Sequence, residues 1–230
     1  MHPLDRPVWA SLTSHHASLS EGNTLARRFA RDVNLFASSR DETPVAIAAL
    51  AELVKPGESV FVLQVPEVVI PSGLVESKAA KGVQMVASSG TSTSWDRGDI
   101  RTLTEADALE MLALARLTVP GPFLERTHVM GAFLGIRIDG RLAAMAGERM
   151  RFPGYTEISG VCTHPDFRGR GLARRLSAAV RADIEARGDQ AFLHAWKSNR
   201  AAITLYESLG FELRMEVNVS VLTRSVTEPG

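Results

Sequence analysis

The sequence predicts an α/β fold of the α+β kind: a mixed, mostly antiparallel sheet flanked by helices, preceded by an N-terminal α/β region. Three observations carry this. Two strand-like runs in "GAFLGIRIDGRLAAMAGERMRF" meet at Asp139-Gly140, the strongest short hairpin signal. Leu172, Leu176, Val180 and Ile184 recur four apart, the stripe of a helix with one face on a sheet. The run "FELRMEVNVSVL" alternates as a half-buried strand does.

The elements follow in order. "LARRFARDVNLFA" (25–37) has helical spacing, with Leu25, Phe29, Val33 and Phe36 on one face. Asp41 or Thr43 caps a second helix, "PVAIAALAELV", with Pro44 in its first turn. "KPGES" is a turn, "VFVLQV" (60–65) a buried strand and "GVQMVAS" another strand. The polar, serine-rich "SSGTSTSWDRGD" (88–99) reads as a linker or exposed loop, which divides residues 1–96 from 97–230. "DIRTLTEADALEMLALARL" gives a short strand, a Thr104/Asp107 capping box and a helix with Ala108, Met111, Leu112 and Leu117 inward. "VPGPF" ends that helix. After the hairpin come a strand at 155–163, a helix running to Gly188 and a strand at 190–196. A helix capped by Ser198 or Asn199, with Gly210 past its end, precedes the closing strand.

Composition narrows the function. The chain has 230 residues and zero formal net charge. General binders of nucleic acid or anionic membranes carry a basic surplus, so neither is an expected partner. A single cysteine, Cys162, cannot form an internal disulfide, which fits a reducing cytoplasm. The start, "MHPLDRPVWASL", lacks the basic-then-apolar pattern of a signal peptide. The densest apolar run, "VAIAALAELV", is about half the ~20 residues of a membrane span.

The chemistry concentrates at "HPDFRGRGLARRL" (164–176). The helix stripe packs, so the first turn is fixed in place, with Arg174, Arg175, Arg181 and Arg187 largely outward. Its N-terminal N–H groups lack intrahelical partners, and Gly169 and Gly171 leave them unshielded. An anionic group suits such a corner, with a dipole contribution of ~0.3–1 kcal/mol. A phosphate cradle and a plain arginine-rich helix start both fit it. Neither G-x-x-x-x-G-K-[ST] nor G-x-G-x-x-G is present, since Arg174 stands at the last glycine of the second.

The order of motifs separates those readings. "VCTHPDFRGRGLARRL" followed by "FLHAWKSNRAAITLYESLGF" resembles the GNAT superfamily of acyl-CoA-dependent N-acyltransferases. Arg168, Gly171 and Ala173 fill that family's Q/R-x-x-G-x-G/A signature. Asn199 and "LYESLGF" (205–211) fill its second signature. The resemblance covers about residues 98–224. Residues 1–96 carry no signature, and a degenerate GNAT-like or family-specific N-terminal region is the expectation there.

The resemblance implies an N-acetyltransferase that moves an acetyl group from acetyl-CoA, as cosubstrate and without a metal, to a small-molecule or peptide amine in a ternary complex. It implies that the strand edge at Val161, Cys162 and Thr163 binds the pantetheine arm. Amides from Arg168 through Gly169, Arg170, Gly171 and Leu172 to Ala173 would hold the pyrophosphate, and Asn199 completes the cofactor set. Gly160, inside that strand, fits a bulge. Tyr206 stands at the family's usual acid position, where a phenol of pKa ~10 protonates the leaving thiolate; by position alone it is a core tyrosine. The base is His194 or Glu157, with Glu148 and a water chain as rivals. Cys162 is more simply a buried hydrophobe than an acyl carrier, and His164 a turn residue rather than a ligand. Phe123, Glu125 and Arg126 either line the acceptor site or form a plain connector. A catalytically inactive acyl-CoA-binding or sensing module is the competing reading.

Gly171→Glu, which places a carboxylate in the expected cradle, should abolish acetyl-CoA binding in titration calorimetry. Undiminished binding would leave the corner as a helix start only.

Overall fold

The computed structural model describes residues 2–88 and 97–226. An eight-stranded sheet runs through it in the order β4-β11-β5-β10-β9-β8-β7-β6. Its strands are β4 (Ser59–Gln64), β5 (Val75–Ala87), β6 (Ile100–Leu103), β7 (Phe133–Ile138), β8 (Arg141–Phe152), β9 (Tyr155–Thr163), β10 (Gln190–Trp196) and β11 (Phe211–Thr223). All neighbours are antiparallel except β9 and β10. A small antiparallel sheet joins β1 (Ser20–Gly22), β2 (Ala26–Phe29) and β3 (Ala37–Ser39).

Among the described residues five α-helices cover the sheets: α1 (Pro7–Leu12), α2 (Pro44–Glu52), α3 (Ala108–Thr118), α4 (Leu172–Ala186) and α5 (Arg200–Glu207). On one face, Leu172, Leu176, Val180 and Ile184 of α4 and Ile203 and Tyr206 of α5 form a core with Met85, Ile136, Ile158 and Leu193. On the other face, Val8 and Leu12 of α1 meet Phe29, Phe36, Phe152, Phe192 and Val217. α3 covers the same face at its far end, through Met111, Leu114 and Ala115 on Phe133 and Met145.

The signals read from sequence gave most of these elements. Asp139 and Gly140 both take positive φ, 50° and 78°, as the two-residue hairpin requires. Asp107 accepts from the Thr104 backbone and hydroxyl, closing the expected capping box. Asn199 caps α5 by accepting from the Ala202 N–H.

Four expectations are corrected. Residues 25–37 form β2, a turn and β3 rather than a helix: the Ala30 carbonyl accepts from both Val33 and Asn34. That reversal brings Phe29, Val33 and Phe36 to one core at the spacing a helix would have used. Leu117 is exposed, because Met111, Leu112, Leu114 and Ala115 occupy the buried arc of α3. Arg181 is buried, donating to the Leu209 and Ser88 carbonyls from inside the α4 face. The 82–88 strand begins earlier, at Val75.

Most of the serine-rich stretch (89–96) lies outside the described residues; beyond it Arg97 and Asp99 pair with Asp183 and Arg175. The sheet itself runs across the division at residues 96 and 97. β4 and β5 from the first region flank β11 from the second, and β5 also pairs with β10. Phe29→Ala should therefore cost about 3–5 kcal/mol in one cooperative unfolding of the whole chain. Denaturant unfolding followed by near- and far-UV dichroism checks this; two separated transitions would contradict it.

Candidate active site

The site begins where β9 and β10 part. The strands pair from Tyr155–Gln190 to Ile158–Leu193 and no further. Gly160 follows at φ +63°, a conformation that favours glycine. There the β8–β9 register shifts between Met145–Cys162 and Gly147–Ser159, so β9 bulges away. β10 instead continues on β5, with His194 opposite Gln84. A cleft of about 340 Å³ opens at this split. Val161, Cys162, Thr163, Arg168, His194, Asn199 and Tyr206 all line it.

Gly169, Arg170, Gly171, Leu172 and Ala173 are not in the cleft wall. They form the adjoining corner, after a short 3-10 turn at Pro165–Phe167. Gly169 and Gly171 have φ of +77° and +70°, and a Cβ at either would meet nothing within 4 Å. The corner is thus open above the first turn of α4, where a side chain would fill the space an anion could use. In the cleft wall, the Thr163 hydroxyl is buried with no hydrogen-bond partner among the described residues. Such an orphan is rare in folded proteins and fits a bound polar ligand. Among the described residues no group of three or more His, Cys, Asp or Glu side chains is placed to hold a metal ion. No helix among them is long and apolar enough to cross a membrane.

Glu157 is fully buried. Both its oxygens accept from Arg149, at 2.8 and 2.6 Å, and Oε1 also meets His194 Nδ1 at 2.7 Å. Burial alone would raise its carboxyl; the Arg149 charge and hydrogen bonds, with His194, outweigh that and hold it at about 2. Glu157 does not line the cleft and both its oxygens are already engaged, so of the two expected bases only His194 reaches the cleft. Glu148 is paired with Arg187 at 2.6 Å and also stays out of the cleft.

His194 lies in the same chain of bonds. Gln84 is fully buried, and its amide orientation is fixed: Oε1 accepts from Arg214 at 2.8 Å and Nε2 donates to the Leu4 carbonyl at 2.9 Å. That same Nε2 lies 3.0 Å from His194 Nε2. Gln84 is the donor there, so His194 presents Nε2 as acceptor and its Nδ1–H toward Glu157.

Tyr206 enters from the opposite face. Burial, and then the Glu157 charge, push its phenol up to about 12. Its side chain is buried and lines the cleft. Burial likewise pushes the Cys162 thiol up to about 11, so no thiolate is available for an acyl-cysteine route. His164 caps its turn and pairs near Asp166. Glu125 and Arg126 make exposed ion pairs with Arg116 and Asp32, Phe123 meets Phe133 edge to face, and none of the three lines the cleft. Residues 118–122 do.

The cleft also holds Arg149, Phe36, Phe61 and Leu63, which sequence reasoning missed. Gln84 interrupts the apolar run "GVQMVAS", and that interruption was the available signal; Arg149, among the charged residues of "GERMRF", gave none. The three apolar residues left none.

A family model described as FR47-like protein matches residues 133–220. The crystal structure of an acetyltransferase of the GNAT family from Novosphingobium aromaticivorans has a TM-score of 0.92 and 44% identity, over 98% of this chain and 100% of that one. A mycothiol acetyltransferase of Thermobispora bispora is 46% identical over 56 residues, 24% of this chain and 19% of that protein. A [ribosomal protein bS18]-alanine N-acetyltransferase of Salmonella typhimurium is 39% identical over 79 residues, 34% of this chain and 53% of that protein. The matches thus span a minor part of the first curated relative and about half of the second.

The Glu157 cluster generates a pH prediction. Its folded carboxyl titrates at about 2 and the unfolded one near 4.5, so its stabilisation is complete above about 4.5 and is lost as pH falls toward 2. Arg149→Met with Glu157→Gln, which removes both charges, should flatten the acid limb of unfolding free energy between those values. An unchanged limb would show that other carboxylates govern it.

Proposed function

The chain belongs to the GNAT family of acetyltransferases, and from that footing we propose that it transfers an acetyl group from acetyl-CoA directly to a primary amine. The observation that carries the reading is the parted strand edge, with Tyr206 on one side of the cleft and the Glu157-paired His194 on the other. The two curated relatives are named for acetyl transfer, one as a mycothiol acetyltransferase and one for a ribosomal protein bS18 alanine.

Acetyl-CoA supplies the activated thioester. In this reading the free edge at Val161–Thr163 holds the pantetheine arm as an added strand, and one of its N–H groups stabilises the developing oxyanion. The Thr163 hydroxyl gains the partner it lacks. Amides from Arg168 to Ala173 take the pyrophosphate, with Arg168 and Asn199 at the junction of corner and cleft.

The acceptor amine must attack as the free base. His194 Nε2 takes its proton, which requires Gln84 to release that atom at a cost of about 1 kcal/mol. Glu157 then stabilises the imidazolium through Nδ1–H and holds the ring in the correct tautomer, as a positioning residue. Collapse of the tetrahedral adduct expels the thiolate. Tyr206, held protonated well above neutral pH, donates to it.

Tyr206→Phe should lower kcat by about 10²-fold or more, with the acetyl-CoA dissociation constant changed less than twofold. Steady-state kinetics beside calorimetry separates the two effects. Unchanged kcat would remove Tyr206 from the chemistry.

A further inference from the structure

We propose that the accepted amine belongs to an apolar α-amino acid or a close derivative of one. This deepens the acetyl-transfer reading of the same cleft and rests on it. Three features of the wall carry it.

The first is charge. No aspartate or glutamate lines the cleft among the described residues. The nearby carboxylate, Glu157, is fully buried and already engaged by Arg149 and His194. A polycationic acceptor would enter without a counter-charge and would lose hydration at each ammonium. The second is the apolar surface. Phe36, Phe61, Leu63, Val217 and Val219 form one wall, contributed by the N-terminal segment, β4 and β11. An aliphatic or aromatic side chain suits that surface, at about 25 cal/mol per Å² removed from water.

The third is a spare donor. Arg149 has a side chain with 10% exposure, and it lines the cleft. Its Nε and Nη2 are tied to Glu157, and its guanidinium lies over the Phe36 ring at 4.8 Å. The plane is therefore fixed. The Glu157 pair leaves out Nη1, which carries two N–H donors and lies beside Gly121 of the cleft wall. A carboxylate or carbonyl oxygen would complete it. In an α-amino acid that oxygen is on the carbon next to the one bearing the amine, so one molecule meets the apolar wall, the spare donor and the acyl carbonyl together.

The test is a panel of acceptors with acetyl-CoA: L-phenylalanine, L-phenylalaninamide, phenethylamine and spermidine, read as kcat/KM. The expected result is turnover of phenylalanine or its amide at least about tenfold above phenethylamine, with spermidine lowest. The order of acid and amide tells whether the oxygen must be charged. Phenethylamine equal to phenylalanine, a preference for spermidine, or turnover of none of the four would overturn the acceptor class. Calorimetry with acetyl-CoA on the same protein distinguishes the deeper failure: absent binding overturns acetyl transfer itself. Arg149→Met with Glu157→Gln leaves no lone buried charge. It should bring the phenylalanine-to-phenethylamine ratio to within about threefold of unity while acetyl-CoA still binds; a ratio that persists would overturn the role of Nη1. Should that variant not fold, the wild-type panel decides alone.

Discussion

A carboxylate fully removed from water governs this structure. Glu157 stands beside Ile158, the last residue through which β9 pairs with β10. An ionised group there must be met by charge and hydrogen bonds or the fold does not form. Arg149 meets it from β8 and His194 from β10, so three adjacent strands are tied together one step before they separate. Beyond that point Gly160 lets β9 bulge, while β10 keeps the pairing with β5 that it already has at Phe192. The cleft is the space left between a clamp and a bulge. Replacing the clamp with apolar packing could match its stability, but it would remove the groups that fix where the split begins.

The N-terminal region completes this arrangement. Gln84, on β5, holds His194 from the side opposite Glu157, and it is itself held by the Leu4 carbonyl and by Arg214. Arg214 in turn pairs with Asp5 at 2.6 Å. A chain of directional bonds therefore runs from the first residues of the protein to the centre of the cleft. The same region supplies Phe36, Phe61 and Leu63, and Phe36 stacks on the guanidinium that neutralises Glu157. Removing the region would uncover β11 on both sides, strip β10 of its antiparallel partner and leave His194 without its donor.

Much of this was legible in the sequence, and the limits have physical reasons. Asp139-Gly140 announced its hairpin because few dipeptides tolerate two positive φ angles. The α4 stripe and the glycine corner were legible because each is set by residues adjacent in the chain. Residues 25–37 misled because a turn at Ala30–Asn34 returns Phe29, Val33 and Phe36 to one core at helical spacing. Arg181 read as outward because periodicity places a side chain on a face, while only the fold supplies carbonyls for it to reach. Tyr206 and His194 were found through a motif. Gln84 and Arg149 belong to none, and their roles come from strands distant in sequence meeting in register. Glu157 was found as an acid residue, but its partners decide what it does.

Those partners set the protons of the whole cleft. The Glu157 charge faces Tyr206 from across the sheet and adds to burial in keeping the phenol protonated. Through His194 Nδ1 it selects the tautomer that leaves Nε2 as acceptor, and Gln84 enforces the same choice from the other end. In the proposed reading a donor and, once Gln84 yields Nε2, an acceptor face the split from opposite sides, both arranged by a group that reaches neither substrate. This requires Glu157 to stay ionised throughout. Arg149 secures that, since a guanidinium does not give up its proton in a protein. A lysine in its place could release one in so dry a setting, and the donor and acceptor would lose their assignment together.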